Sequence, residues 1–133
     1  MENTAVLTNP KKILIVDDEP VVFCILKACL ERKKSFRVCQ ACDGEEALRK
    51  TKEDPPDLII LDLGLPKLSG IEVCKKIKMD ERSANIPIIV LTGRTGDVDK
   101  VISRVVGANF YMTKPFELQE LLKTIENILG SNQ

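Results

Sequence analysis

The sequence predicts a doubly wound α/β sandwich, a five-stranded parallel sheet with five helices. Three observations lead there. The short apolar runs "ILIV", "LIIL" and "IIVL" lack polar alternation, as strands covered on both faces do. Longer amphipathic segments separate them, and that order of elements builds βα units. Breaks fall between the runs, at Pro55-Pro56, Pro87, Gly107 and Pro115, where turn and cap residues belong.

In chain order, Lys12–Val16 reads as a buried strand and Val21–Lys33 as a helix. Phe36–Ala41 is a second strand. Gly44 to about Glu53 is a second helix, with Asp43 as its N-cap. The pattern then predicts a strand over Asp57–Leu61, a helix over Gly70–Met79 and a strand over Ile88–Leu91. Val98–Val106 reads as a helix stopped by Gly107, whose freedom at positive φ suits a C-terminal cap. Asn109–Met112 is a short fifth strand, and Pro115 opens a last helix to about Leu129. That helix shows its face in Leu118, Leu121, Leu122, Ile125, Ile128 and Leu129, spaced at i, i+3, i+4 and i+7. The reading is one domain over 12–130, with 1–11 and 131–133 as flexible tails.

Composition narrows the function. The chain has 133 residues, 44% of them hydrophobic, and its 20 basic and 20 acidic residues cancel. That balance predicts neither direct nucleic-acid binding nor a polybasic membrane anchor. No apolar run reaches about 18 residues, so the reading has no membrane span and a cytoplasmic location. Histidine is absent, which removes the usual general base and imidazole ligands. The five cysteines are odd in number and read as buried thiols acting as small hydrophobes.

The polar residues cluster by position. The first strand ends in Asp17-Asp18-Glu19, the third in Asp62 and the fourth in Thr92, and Thr113-Lys114-Pro115 follows the fifth. Ligands of open α/β sheets bind outside the carboxyl ends of the strands, so these side chains share one rim. Asp17, Asp18 and Asp62 make an oxygen-only acidic pocket suited to Mg²⁺. Lys114 adds a point charge and Thr92 a hydroxyl. Such a set can hold phosphoryl oxygens around a carboxylate nucleophile. Taken singly, a double Asp is a solvated helix N-terminus, Asp62 is turn chemistry, Thr92 a cap and Lys114 a surface residue. Their joint position on one rim favours the site.

Those motifs, Asp17-Asp18 after "ILIV", Asp62 in "DLIILDLGLPKLSG", Thr92-Gly93 after "IPIIVL" and Lys114-Pro115-Phe116 in "GANFYMTKPF", closely resemble a response-regulator receiver domain of two-component signalling. The resemblance implies a flavodoxin-like sheet in the order 2-1-3-4-5 and a phosphorelay role. It makes Asp62 the phosphoacceptor, with Asp18 on Mg²⁺ directly, Asp17 through water, and the Gly64 carbonyl completing the protein ligands. Lys114 and Thr92 contact the phosphoryl group, and Thr92 and Tyr111 form the switch. A sensor histidine kinase or histidine phosphotransfer protein is the implied donor, and a downstream output protein the implied partner. The protein then catalyses only its own phosphorylation and dephosphorylation. Gly64 and Arg94 stand at positions that tune phosphoryl lifetime in the family.

The first helix, "VVFCILKACL", is apolar on more than one face. Val22, Leu26 and Cys29 can meet the core, leaving Val21 and Phe23 to solvent, either as ordinary scattered apolar residues or, as the resemblance implies, as a docking patch for the donor. Cys39-Gln-Ala-Cys42 has thioredoxin-like spacing but lies away from the acids. One alternative function is a receiver-fold scaffold independent of phosphorylation. Another is a Mg²⁺-dependent aspartyl-phosphate phosphatase, whose D-x-D spacing "VDDEP" lacks. A flavodoxin-like nucleotide binder would need a phosphate loop where Asp17-Asp18-Glu19 stands, and those acids repel phosphate.

Overall fold

The computed structural model describes residues 10–32, 36–63, 69–92, 107–113 and 116–130. Its elements run β1 (Lys11–Val16), α1 (Pro20–Glu31), β2 (Phe36–Ala41), α2 (Gly44–Glu53), β3 (Leu58–Asp62), α3 (Gly70–Met79), β4 (Ile88–Thr92), β5 (Phe110–Thr113) and α4 (Leu118–Leu129). The five strands are parallel in the order β2-β1-β3-β4-β5, the predicted flavodoxin-like arrangement. Four helices lie among the described residues. The helix expected over Val98–Val106 falls outside them.

The unbroken apolar strands follow from a core on each face. Successive strand side chains point to opposite faces. Leu14, Val16, Ile59, Leu61, Ile88 and Val90 pack one way, against Ala47 of α2 and Val73, Cys74 and Ile77 of α3. Ile13, Ile15, Leu58, Ile60, Ile89 and Leu91 pack the other way, against Leu26 and Leu30 of α1 and Leu121 and Ile125 of α4. Each fully buried aliphatic side chain contributes about 2 kcal/mol, so neither face tolerates a polar residue cheaply. Leu118, Leu122, Ile128 and Leu129 complete the α4 stripe against this second core.

The local signals act as their chemistry dictates. Asp43 caps α2 by accepting from the Glu46 amide at 2.9 Å, and Glu46 Oε1 accepts from the Cys42 amide at 2.7 Å, close to a reciprocal capping box. Ser69 caps α3 by accepting from the Glu72 amide at 3.3 Å. Gly130 ends α4 at φ 62°, and Gly107 sits at φ 89°, the left-handed region that glycine enters without strain. Lys78, near the end of α3, donates to the carbonyls of Ala84 and Ile86 at 3.1 and 2.7 Å. Its Nζ also reaches Asn109 Oδ1 at 3.4 Å, tying α3 to the approaches of β4 and β5. Burial holds this ammonium below its ordinary range.

Several boundaries differ from expectation. α1 stops at Glu31, β3 runs through Asp62, β4 takes in Thr92, and α4 starts at Leu118. The β3 and β4 shifts share one cause: pairing with neighbouring strands carries each ladder one residue past its apolar run. The cysteines also depart from the reading. Only Cys74 is buried, while Cys29 and Cys39 are half-buried and Cys24 and Cys42 exposed. α1 is apolar beyond its core stripe, so its cysteines do not all reach the interior.

Candidate phosphoacceptor site

β1 lies between β2 and β3, so its carboxyl end falls inside the rim and not at a sheet edge. The Asp17 amide donates to the Ala41 carbonyl at 3.1 Å, continuing the β1–β2 ladder one residue beyond Val16. This fixes where the Asp17 side chain leaves the sheet. Its carboxylate is buried, and Oδ1 accepts from the Glu19 amide at 2.8 Å. Pro20 at the first turn of α1 has no amide to compete, so the chain turns directly from the acids into the helix. Asp18, one residue on, is exposed.

Asp62 is the last residue of β3. Register pairs Val16 with Leu61 and Asp62 with Leu91, so Asp17 and Asp62 leave adjacent strands at the same height. Asp62 is 7% exposed. Carboxylate oxygens of Asp17, Asp18 and Asp62 all lie within 4.8 Å of one another. Three like charges so close repel strongly unless a cation lies among them.

Backbone bonds tie Leu63 to β4 and the start of α3 to Leu63. The Leu63 amide donates to the Leu91 carbonyl at 3.0 Å, and the Gly70 amide donates to the Leu63 carbonyl at 3.3 Å. A Cβ on Gly70 would stand 2.6 Å from the Asp62 carbonyl oxygen and 2.6 Å from the Leu63 Cα. Residue 70 must therefore be glycine for α3 to begin against the Asp62 backbone. Sequence reasoning did not single it out; a glycine at the first turn of a helix, two residues after Leu68 in "KLSG", was the available signal.

Thr92 ends β4 and pairs with Thr113, one residue before Lys114. Its backbone thus stands on the strand next to Asp62, one step beyond the Asp62–Leu91 pair. Gly64, Gly93, Arg94, Lys114 and Pro115 lie outside the described residues. Tyr111 is half-buried against the α2–α3 core. Val21 is 68% exposed as expected, but Phe23 does not point to solvent. It is half-buried and packed on the α1–α4 core. Ile25, at 51% exposure, lies on the open face instead. The helical repeat explains this: residue 23 lies three before Leu26 and seven before Leu30, on the core stripe.

Cys39 lies in β2 and Cys42 just beyond it. Strand rise separates their Cα atoms by roughly 10 Å, further than the about 7 Å a disulfide spans. The thioredoxin-like spacing therefore carries no dithiol chemistry in this fold.

A flavodoxin-like sheet with this acid cluster at the ends of β1 and β3 defines a class, the phosphorylation-controlled switches of two-component signalling. The chain belongs to the response regulator receiver domain family, whose model matches residues 13–126. It is 46% identical over 123 residues, 92% of its own length, to the alkaline phosphatase synthesis transcriptional regulatory protein PhoP of Bacillus subtilis, covering 50% of that protein. It is 39% identical over 118 residues to the DNA-binding dual master transcriptional regulator RpaA of Synechocystis, covering 89% of this chain and 48% of that one. The chain thus spans about half the length of these curated relatives. Among solved structures it resembles the receiver domain of the sensor histidine kinase PA1611 of Pseudomonas aeruginosa, which has a magnesium ion coordinated in its active site cleft. That match has TM-score 0.82 and 31% identity, covering 92% of this chain and 99% of the other.

The donor set here fits such an ion. It is all oxygen, it carries an excess of negative charge, two of its acids are buried and one opens to solvent. Hard divalent cations take this kind of site, whereas zinc and copper favour nitrogen and sulfur. Among the described residues no helix is long and apolar enough to cross a membrane.

Proposed function

We propose that Asp62 is the phosphoacceptor of this receiver and that Asp17, Asp18 and Asp62, with the Gly64 carbonyl, hold Mg²⁺. The observation that carries this reading is the approach of the three carboxylates within 4.8 Å, with Asp62 delivered by the end of β3. Bound there, Mg²⁺ supplies positive charge to neutralise phosphoryl oxygens. An Asp62 oxygen attacks phosphorus, a P–O bond forms, and the P–N bond to a donor histidine breaks. Hydrolysis returns the carboxylate and inorganic phosphate, so no metabolite is turned over. Lys114 and Thr92 bind the phosphoryl oxygens, and Thr92 and Tyr111 carry the change to an output surface.

The 133 residues contain no histidine, so the donor histidine lies outside them, on a sensor kinase or histidine phosphotransfer protein. Its docking patch is the outer face of α1 around Val21, extended by Ile25 and bordered by the exposed part of Phe23. The domain is residues 12–130, it works in the cytoplasm, and its output is contact with a downstream protein or protein segment. The curated relatives are named as transcriptional regulators, one of them DNA-binding; within this neutral domain the contacts are with protein.

The test is intact mass after incubation with acetyl phosphate and Mg²⁺. The wild type gains one phosphoryl adduct, and both EDTA and Asp62→Asn abolish it. An adduct that survives Asp62→Asn moves the acceptor elsewhere, and no adduct from acetyl phosphate or a phosphorylated kinase leaves a scaffold.

A further inference from the structure

β2 is an edge of the sheet, paired only with β1 among the described strands. Because Ala41 turns its carbonyl to the Asp17 amide on the β1 side, strand alternation turns the backbone groups of Val38, Gln40 and Cys42 outward. Such groups on an edge are a template for another strand. The β2 sequence, Phe-Arg-Val-Cys-Gln-Ala, has one charge and no proline, so little in the strand itself discourages pairing.

Charged side chains occupy three of those outward groups. The Val38 amide donates to Glu31 Oε2 at 3.1 Å. Lys50 Nζ donates to the Gln40 carbonyl, and the Cys42 amide donates to Glu46 Oε1 at 2.7 Å. Glu31 reaches the edge from the end of α1, on one face of the sheet, while Lys50 and Glu46 reach it from α2 on the other. Each carboxylate is held by a lysine: Lys27 donates to Glu31 Oε1 at 2.9 Å, and Lys50 lies 3.2 Å from Glu46 Oε2.

We propose that Glu31, Lys50 and Glu46 form an edge guard that closes β2 to the β2 strand of a second copy of this chain. An incoming strand must break three charge-assisted hydrogen bonds and strip water from the released charges before making its own bonds. The excluded partner is a second copy because two-fold symmetry lets the same edge pair with itself and extend the sheet.

The test removes one guard residue from each face with Glu31→Leu and Lys50→Met, singly and together, leaving Glu46 and the Asp43 cap of α2 intact. Sedimentation equilibrium measures association, and hydrogen exchange locates it. The double variant is expected to dimerise at least about tenfold more tightly than the wild type, with slowed exchange confined to β2. Wild-type Val38 and Cys42 amides, which face no strand, are expected to be protected in the monomer. A double variant as monomeric as the wild type, or one associating without β2 protection, would overturn the proposal. So would free-peptide exchange at Val38 and Cys42 in the wild type, a measurement that needs no variant to fold.

Discussion

Gly70 and Asp62 are in backbone contact: a methyl group on Gly70 would stand 2.6 Å from the Asp62 carbonyl oxygen. Neither partner can yield easily, because Asp62 is in the β3–β4 ladder and Gly70 is the first residue of α3. Gly70→Ala is therefore expected to cost about 1–3 kcal/mol by overpacking, or roughly 4 °C of Tm per kcal/mol in a domain of this size. It should also slow labelling by acetyl phosphate, because the strain falls on the phosphoacceptor's own peptide. Thermal unfolding and timed intact-mass spectra check both; an unchanged labelling rate would confine the contact to packing.

The acid cluster sets a second expectation, with opposite signs in the presence and absence of metal. Without a divalent cation, Asp18→Asn removes one of three crowded charges and should raise Tm. With Mg²⁺ at about 100 times its dissociation constant, the wild type gains about 2.7 kcal/mol, and the variant should lose most of that gain. Asp17→Asn should also lose it while keeping an oxygen for the Glu19 amide. Melting curves with Mg²⁺ and with EDTA decide; equal Mg²⁺ responses in all three proteins would place the ion elsewhere.

Docking of the donor is tested on the open face of α1. Ile25→Ala and Val21→Ala shorten side chains that are mostly exposed, so stability should move by less than about 0.5 kcal/mol. Phosphotransfer from a cognate kinase should slow several-fold while acetyl phosphate labels at the wild-type rate. Phe23→Ala also loses core packing and is the less clean probe. Equal slowing with both donors would tie the face to the chemistry and not to docking.

The fold was legible because both kinds of signal, apolar strands and amphipathic helices, agree locally with the final packing. The α4 stripe is the clearest instance: all six residues read from spacing pack on the second core. Asp17, Asp18 and Asp62 were legible because strand ends deliver side chains to a rim, whatever the exact boundary. Two features were not. The orientation of Phe23 was misread because α1 offers more apolar residues than its core stripe needs, and composition does not choose among them. Gly70 was passed over because its role is a close approach to the backbone of Asp62 and Leu63, earlier in the chain, a relation that residue type alone does not encode.

The cysteines give a fourth expectation. Burial pushes the Cys74 thiol up to about 11, against a weaker opposing effect of Lys78, so at pH 8 it is both inaccessible and protonated. Brief treatment of the native protein with iodoacetamide should label Cys24 and Cys42, with Cys29 and Cys39 slower. Cys74 should react only after unfolding, since the thiolate is the nucleophile. Peptide mapping checks the order; early labelling of Cys74 would mean that the α3–core contact opens readily.

Glu46 predicts an acid-side loss of stability with a definite sign. The Cys42 amide, and then Lys50, hold its carboxyl below the ordinary value of 4.5 against desolvation and the Asp43 charge. A carboxyl depressed in the folded state adds stability above its unfolded pKa and loses that contribution as pH falls through the folded value. The contribution is thus whole at pH 7 and fades below about pH 4.5. Glu46→Gln should cost about 1 kcal/mol at pH 7, the scale of a capping bond, and nearly nothing at the acid end, where the wild-type side chain is protonated. Urea unfolding at pH 7 and pH 3 measures the difference; a cost that does not shrink with acid would show that side-chain shape, and not charge, holds the Cys42 amide.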